Sequence, residues 1–311
     1  MENNKYIVGV GAANIDQHWR SLAPVNLRDS NPSHCSLTVG GVTRNICENL
    51  ARLGQNVSLL SAVGDDVYAE MIVRESSRAG IDMSRVQHRA GFRSSSYIAV
   101  LDDIGDMLLG LSDMRIINDM PVSYLEENRA FISGASAVVC DGALPRETLD
   151  ALITLAGDSP CFIDPVSIAY ARNMAPLAGK FHCIKPNRFE LNEIARMPTG
   201  TDLEIELAVE AVLNKGTNCV VVSLGERGCY YADNTGKRFF RNMMPLEEMA
   251  DATGAGDAFT GGLIYGTVNG MDAEHAVQCA LAAGRIAAAS PVTVSEEMSV
   301  ANIMNTIEQY S

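Results

Sequence analysis

Apolar residues fall along the chain in two alternating patterns. Short strand-like runs cover Tyr6–Ala12, Val57–Val63, Ala135–Cys140, Cys161–Ile163, His182–Ile184, Cys219–Leu224, Gly228–Ala232 and Lys237–Arg241. Such runs predict strands, and those as apolar as Val220-Val221-Val222 predict strands buried on both faces. Between many of them, apolar residues recur at helical spacing, as at Ile46, Leu50 and Leu53. The spacing predicts helices over Asn45–Leu53, Asp66–Ala79, Arg146–Gly157, Glu204–Lys215, Gly256–Val268, Asp272–Ala289 and Val300–Gln309. Strands alternating with helices predict an α/β fold, a mostly parallel central sheet between two helical layers.

One stretch breaks the alternation. Ser95–Leu101 and Met107–Leu111 read as strands joined by the short acidic segment Asp102-Asp103-Ile104-Gly105-Asp106, a β-hairpin pattern. A hairpin at this place is either a lid, built mainly from residues 91–114, or an edge extension of the main sheet. With no internal repeat and no linker composition, residues 1–311 read as one domain.

Charge narrows the partners. The 24 Lys and Arg against 38 Asp and Glu give a net charge of −14, which argues against nucleic acid and anionic membrane surfaces. A small anion held by backbone N–H groups is compatible with that charge. No apolar stretch has the length of a membrane helix, and the start lacks the pattern of a signal peptide, so a cytoplasmic location is expected. The 8 cysteines form no C-x-x-C pair and mostly sit among apolar residues, as reduced buried thiols do.

The densest chemistry lies in Asp251-Ala252-Thr253-Gly254-Ala255-Gly256-Asp257, followed by small and apolar residues that read as a helix. Gly254 and Gly256 allow a tight turn that presents free N–H groups at the positive end of the helix. Asp257, in the first turn, either caps the helix or accepts a proton from a hydroxyl while the amides hold a phosphoryl group. Gly40-Gly41-Val42-Thr43-Arg44-Asn45 precedes another helix. Asn14 and Asp16, just after the first strand, are turn formers or two polar groups facing one way. Asn187 and Glu190 sit three apart after a strand, as a helix cap or as a ligand pair, and Ser223, Gly225 and Gly228 follow another strand.

Together and in this order, these segments resemble the ribokinase-like, or PfkB, family of carbohydrate kinases across essentially the whole chain. The resemblance implies a three-layer ribokinase-like fold with a small β lid, ATP and Mg²⁺ as cofactors, and a small sugar or nucleoside as substrate. It implies Asp257 as the catalytic base and Gly254, Ala255 and Gly256 as the anion hole. It implies a substrate site at Asn14, Asp16, Gly40, Gly41, Asn45 and Ser96. It implies a nucleotide site at Asn187, Glu190, Ser223, Gly225 and Gly228, with Glu190 organising Mg²⁺ through water. Asp251 and Thr253 match ligands of the monovalent cation, K⁺, that members often bind, and lids of the family often pair across a homodimer. Ala252 departs from the residues usual there, and Thr43-Arg44 departs from the Gly-Ala common in ribokinases. Arg44 before Asn45, Asp29-Ser30-Asn31-Pro32, Ser94–Tyr97 and Ser112-Asp113-Met114 are most similar to the pseudouridine kinase branch. The expected reaction is phosphorylation of a ribosyl 5′-hydroxyl, with ribokinase, fructokinase or another nucleoside kinase as alternatives, and a non-catalytic sensor as the alternative of another class.

Overall fold

The computed structural model describes residues 5–244, 246 and 253–310. Among them, nine strands form a central sheet in the order Arg238–Arg241, Cys229–Asp233, Cys219–Ser223, Cys183–Ile184, Cys161–Asp164, Ala137–Asp141, Ile7–Val10, Val57–Leu60, Ile81–Asp82. The seven from Cys219–Ser223 to Ile81–Asp82 run parallel, and the other two add antiparallel at the edge.

The apolar runs divide between two cores by the period-2 geometry of a strand. Val8 and Val10 join Leu60, Val138, Cys140, Ile163, Val220 and Val222 on one side. Ile7 joins Leu59, Val139, Phe162, Cys183 and Val221 on the other. Helices Arg146–Ala156, Arg188–Ala195 and Asp202–Leu213 cover the first side with Leu152, Leu191 and Val209. Helices Val42–Arg52, Ala255–Val268 and Ala273–Ala288 cover the second with Leu50, Leu263 and Ala280. This is the expected three-layer α/β arrangement.

A second sheet of four strands stands apart, in the order Ser33–Gly40, Asn14–Ser21, Ser95–Leu101, Met107–Asp113. The hairpin is therefore not an edge extension of the main sheet, since Ser95–Leu101 pairs in parallel with Asn14–Ser21. The expected first strand is also shorter than Tyr6–Ala12. It ends at Val10, and the chain crosses from the central sheet to the second one over Gly11–Ala13. Strands Asn14–Ser21 and Ser33–Gly40 have no apolar run to mark them, because few of their residues enter a core.

The register sorts the second sheet into two unlike faces. Thr38, Asp16, Tyr97 and Ser112 form one row across all four strands, with Gly40, Asn14 and Ser95 in the adjacent row of the same face. The opposite face carries Leu37, Ile98 and Leu111 in one row and Trp19, Val100 and Leu109 in another.

Candidate active site

Parallel strands place their carboxyl ends on one edge of the sheet, and a ligand crevice forms there. Two strands end on acids at this edge. Asp141 and Asp164 are register partners on adjacent strands, and both are buried. Asp141 Oδ2 accepts from the Ala12 backbone N–H at 2.8 Å and from Thr43 Oγ1 at 2.7 Å, and Oδ1 accepts from the Ala143 N–H at 3.0 Å. Burial nonetheless pushes the Asp141 carboxyl above its ordinary value. Asp164 Oδ2 lies 2.7 Å from Lys185 Nζ, and both side chains are buried. Burial works against the Lys185 ammonium, but Asp164, then Glu190 and Asp257, hold its pKa above the ordinary lysine value.

Asp257 enters this cluster from helix Ala255–Val268. Gly254 begins that helix in the left-handed conformation, φ 81°, and a Cβ there would lie 2.0 Å from the Thr293 carbonyl oxygen. Among the described residues, no side chain hydrogen-bonds the helix start at its Gly254 N-cap. Its first amides therefore lack intrahelical acceptors and face outward with the helix dipole behind them. Lys185 Nζ lies 3.3 Å from where a Cβ on Gly256 would stand, so the ammonium and these amides share one cradle for an anion. Burial, then the Asp164 charge, raises the Asp257 carboxyl to about 7, against the opposing pull of Asn45 and Lys185. A carboxylate near that value is matched to proton acceptance at neutral pH.

The Asn45 side-chain N–H donates to Asp257 Oδ2 at 2.9 Å. Asn45 stands in the first turn of helix Val42–Arg52, which starts after Gly41. Gly40 leads back into the second sheet, where a Cβ on it would lie 2.0 Å from Asp16 Oδ2. Asp16 in turn accepts from Asn14 Nδ2 at 2.6 Å. Burial pushes the Asp16 carboxyl up, opposed by Asn14, His18 and Arg44. Asn14, Asp16, Gly40, Gly41, Asn45 and Asp257 thus form one continuous wall. Ser96 does not join it: it lies in register with Ile15, on the face opposite Asp16. Ser95, its neighbour, is on the Asp16 face.

On the other flank, Asn187 and Glu190 form a capping box at the start of helix Arg188–Ala195. Glu190 Oε2 accepts from the Asn187 N–H at 2.8 Å, while Oε1 has no hydrogen-bond partner among the described residues. Burial, then Asp164, raises the Glu190 carboxyl. Asn187 bridges to Ser223 of the neighbouring strand, and the Ser223 N–H donates to the Pro186 carbonyl at 2.9 Å. Gly225 and Gly228 follow with φ of 63° and 86°, in a tight loop closed by the Leu224 N–H on the Gly228 carbonyl at 2.8 Å. Among the described residues no group of three or more His, Cys, Asp or Glu forms a metal cage. One buried carboxylate with an unused oxygen fits Mg²⁺ held through water and a substrate's phosphates. Thr253 is exposed just before Gly254, and Asp251 lies outside the described residues.

The geometry adds Asp141, Asp164 and Lys185 to the residues the motifs single out. Their signal in the sequence is positional. Val138-Val139-Cys140-Asp141 and Phe162-Ile163-Asp164 are apolar runs that end on a buried acid, and Lys185 directly follows a third strand.

A proton acceptor, an anion cradle of amides and a cation, and a polar wall at one sheet edge are the parts a phosphoryl transfer needs. The chain is 32% identical to pseudouridine kinase of Escherichia coli (strain K12), over 99% of this chain and 98% of that protein. It is 25% identical to guanosine-inosine kinase of Exiguobacterium acetylicum, over 88% of this chain and 91% of that one. Its fold superposes on Arabidopsis thaliana ribokinase complexed with ribose and ATP with a TM-score of 0.85, at 19% identity, covering 98% of this chain and 99% of that one. The model of the pfkB family carbohydrate kinases matches residues 4–298, and with the edge-of-sheet site in place the chain belongs to that family.

Proposed function

We propose that the protein transfers the γ-phosphate of ATP to the 5′-hydroxyl of pseudouridine, giving pseudouridine 5′-phosphate. The observation that carries the reaction is Asp257, raised to about 7 and hydrogen-bonded to Asn45, at the uncapped start of helix Ala255–Val268. Asp257 takes the proton of the attacking hydroxyl. The amides at Gly254, Ala255 and Gly256, with Lys185, hold the charge that develops on the transferred group. Asp16, with Asn14 and Asn45, makes hydrogen bonds to the ribose hydroxyls and orients them. Ser223, Gly225 and Gly228 pass close to the nucleotide, and Asn187 and Glu190 stand toward its phosphates. Glu190 would hold Mg²⁺ bound with ATP, which would supply charge neutralisation at the phosphates. A monovalent cation such as K⁺ would take Thr253 as one ligand.

The second sheet serves as a lid. Its polar face carries Asp16, Tyr97 and Ser112 in one row, which would cover the base. The extra ring N–H of pseudouridine is read by an acceptor on this face. Ser94 is already committed, donating to Asp66 Oδ1 at 2.7 Å and accepting from the Gly64 N–H at 3.0 Å. That leaves Ser95, Tyr97 and Ser112 on this face. The opposite face exposes Trp19, Leu37, Leu109 and Leu111, a surface suited to a second copy of the chain.

The pseudouridine reading is supported by the 32% identity to the E. coli enzyme over nearly all of both chains. The test is a competition for ATP among pseudouridine, uridine, adenosine, ribose and fructose. An unpaired buried acceptor costs about 1–3 kcal/mol, so pseudouridine should exceed uridine by roughly 5- to 150-fold in kcat/KM. Equal rates for the two nucleosides, or a faster sugar, would overturn the substrate. No turnover with any acceptor would overturn the reaction.

A further inference from the structure

Arg44 is a buried cation that the phosphoryl transfer outlined above does not use. Its guanidinium makes contacts in four directions. Nη1 donates to the Val39 carbonyl at 3.2 Å and to Asn45 Oδ1 at 3.3 Å. Nη2 pairs with Glu48 at 2.5 Å, and Nε donates to Ser76 Oγ at 3.2 Å. Val39 belongs to the second sheet, Asn45 and Glu48 to helix Val42–Arg52, and Ser76 to helix Val67–Arg78. The guanidinium therefore joins the lid, two helices of the main body and the amide that holds Asp257.

The Asn45 amide can be seated in two ways, related by a flip. As seated, its oxygen faces the Arg44 cation and its N–H faces the Asp257 carboxylate. The flipped amide would set N–H against a cation and oxygen against a carboxylate, two repulsive contacts in place of two bonds. Arg44 thus selects the orientation, and its planar fork does so while anchored to the lid strand.

We propose that Arg44 is a positioning residue that couples the seat of the lid strand Ser33–Gly40 to the orientation of Asn45, and through Asn45 to the proton acceptor Asp257. The proposal rests on the kinase reading above for its kinetic readouts but not for its structural ones. Lysine keeps the charge but offers one nitrogen for contacts that now span two elements beyond its own helix. Glu48 is not orphaned by the change, because Arg52 Nε and Nη2 also donate to it at 2.9 and 2.7 Å. The fold should therefore tolerate Arg44→Lys and Arg44→Gln.

The first readout needs no substrate. The Asn45 side-chain N–H₂ resonances of the ligand-free protein are followed by NMR from about pH 5 to about pH 9, spanning the Asp257 midpoint. In the wild type they shift with one midpoint near that of Asp257. In Arg44→Lys the shift collapses, because the amide no longer holds one seat. Wild-type resonances that do not respond to pH, or an Arg44→Lys titration identical to wild type, would overturn the proposal.

The second readout is kinetic. Arg44→Lys should lower kcat roughly 10²-fold, the scale of a small misplacement at the reacting group, with KM for ATP unchanged. The acid limb of its pH profile should move to higher pH, since the Asn45 bond opposes Asp164 and Asp141, which raise Asp257, and acts alongside Lys185. In an Asn45→Ala background, Arg44→Lys should have no further effect on kcat, and additive losses would overturn the coupling. A wild type that phosphorylates no acceptor sinks the kinase reading and leaves the NMR result to decide the role of Arg44.

Discussion

Lys185 and Asp164 form a buried ion pair 2.7 Å long at the floor of the site, from the ends of adjacent parallel strands. The pair is not only structural. Asp164 is the largest charge raising Asp257, and Lys185 is among the groups lowering it. The two partners thus set the proton affinity of the acceptor from opposite directions.

Removing either partner should be felt twice. Lys185→Met leaves a carboxylate buried and unpaired, which costs about 3–5 kcal/mol, and the midpoint of unfolding in urea would show it. Asp164→Asn/Lys185→Met removes both charges and should recover most of that loss. A double variant no more stable than Lys185→Met would exclude the pairing as the cause.

Asp257→Asn keeps the shape and removes the acceptor. Turnover should fall about 10²–10⁴-fold while ATP affinity stays near wild type. In the wild type, kcat/KM should rise with pH through a limb centred at about 7, where Asp257 loses its proton. A profile flat through neutrality would place the base elsewhere.

The same carboxyl makes a stability prediction of definite sign. Its folded pKa, about 7, lies above the ordinary carboxyl value of 3.8, so the native state binds more protons than the unfolded chain in that window. Stability from this group is therefore greatest below the window and declines as pH rises to about 7. Asp257→Asn should melt higher than wild type at alkaline pH, and the advantage should disappear in acid. Calorimetry at the two ends checks this, and a variant less stable at both ends would contradict it.

How far the site could be read from the chain depended on how each residue meets its neighbours. Gly254 and Asp257 were legible because a turn with positive φ and an uncapped helix start demand a particular local sequence. Asn187 and Glu190 were legible for the same kind of reason, and the structure shows that they are also an ordinary capping box. Ser96 was misplaced because strand side chains alternate, so an error of one residue changes the face. Asp164 and Lys185 stayed hidden because a pair 21 positions apart has no local signature until the parallel register is known. Two strands of the second sheet escaped for want of an apolar run, since both faces of that sheet are largely uncovered.

Val166 offers a test of stored strain. It adopts φ 67°, a conformation disfavoured for a β-branched residue, in the turn closed by the Ser167 N–H on the Pro165 carbonyl at 2.7 Å. The Val166 N–H donates to Asp164 Oδ1 at 2.9 Å, so the strained turn holds the acid in place. Val166→Gly should raise stability by about 1 kcal/mol, as relief of a cost of this kind allows. A loss of stability in thermal unfolding would show that the turn is not strained.

Asp16→Ala should raise KM for the nucleoside and lower kcat together, because charged hydrogen bonds worth roughly 1.5–3 kcal/mol serve both affinity and alignment. Values unchanged for both parameters would move the sugar away from the second sheet.

The bond between Asn45 and Asp257 joins residues 212 positions apart. A ribosome delivers Asn14, Asp16 and Asn45 of the polar wall long before Asp257. A nascent chain can close its first strands, Ile7–Val10 against Val57–Leu60, while its catalytic edge is still missing its last component. Chains cut short before helix Ala255–Val268 would carry a polar wall with nothing to take the proton. For the proposed reaction, the order of synthesis therefore keeps a chain that still lacks helix Ala255–Val268 from transferring phosphate.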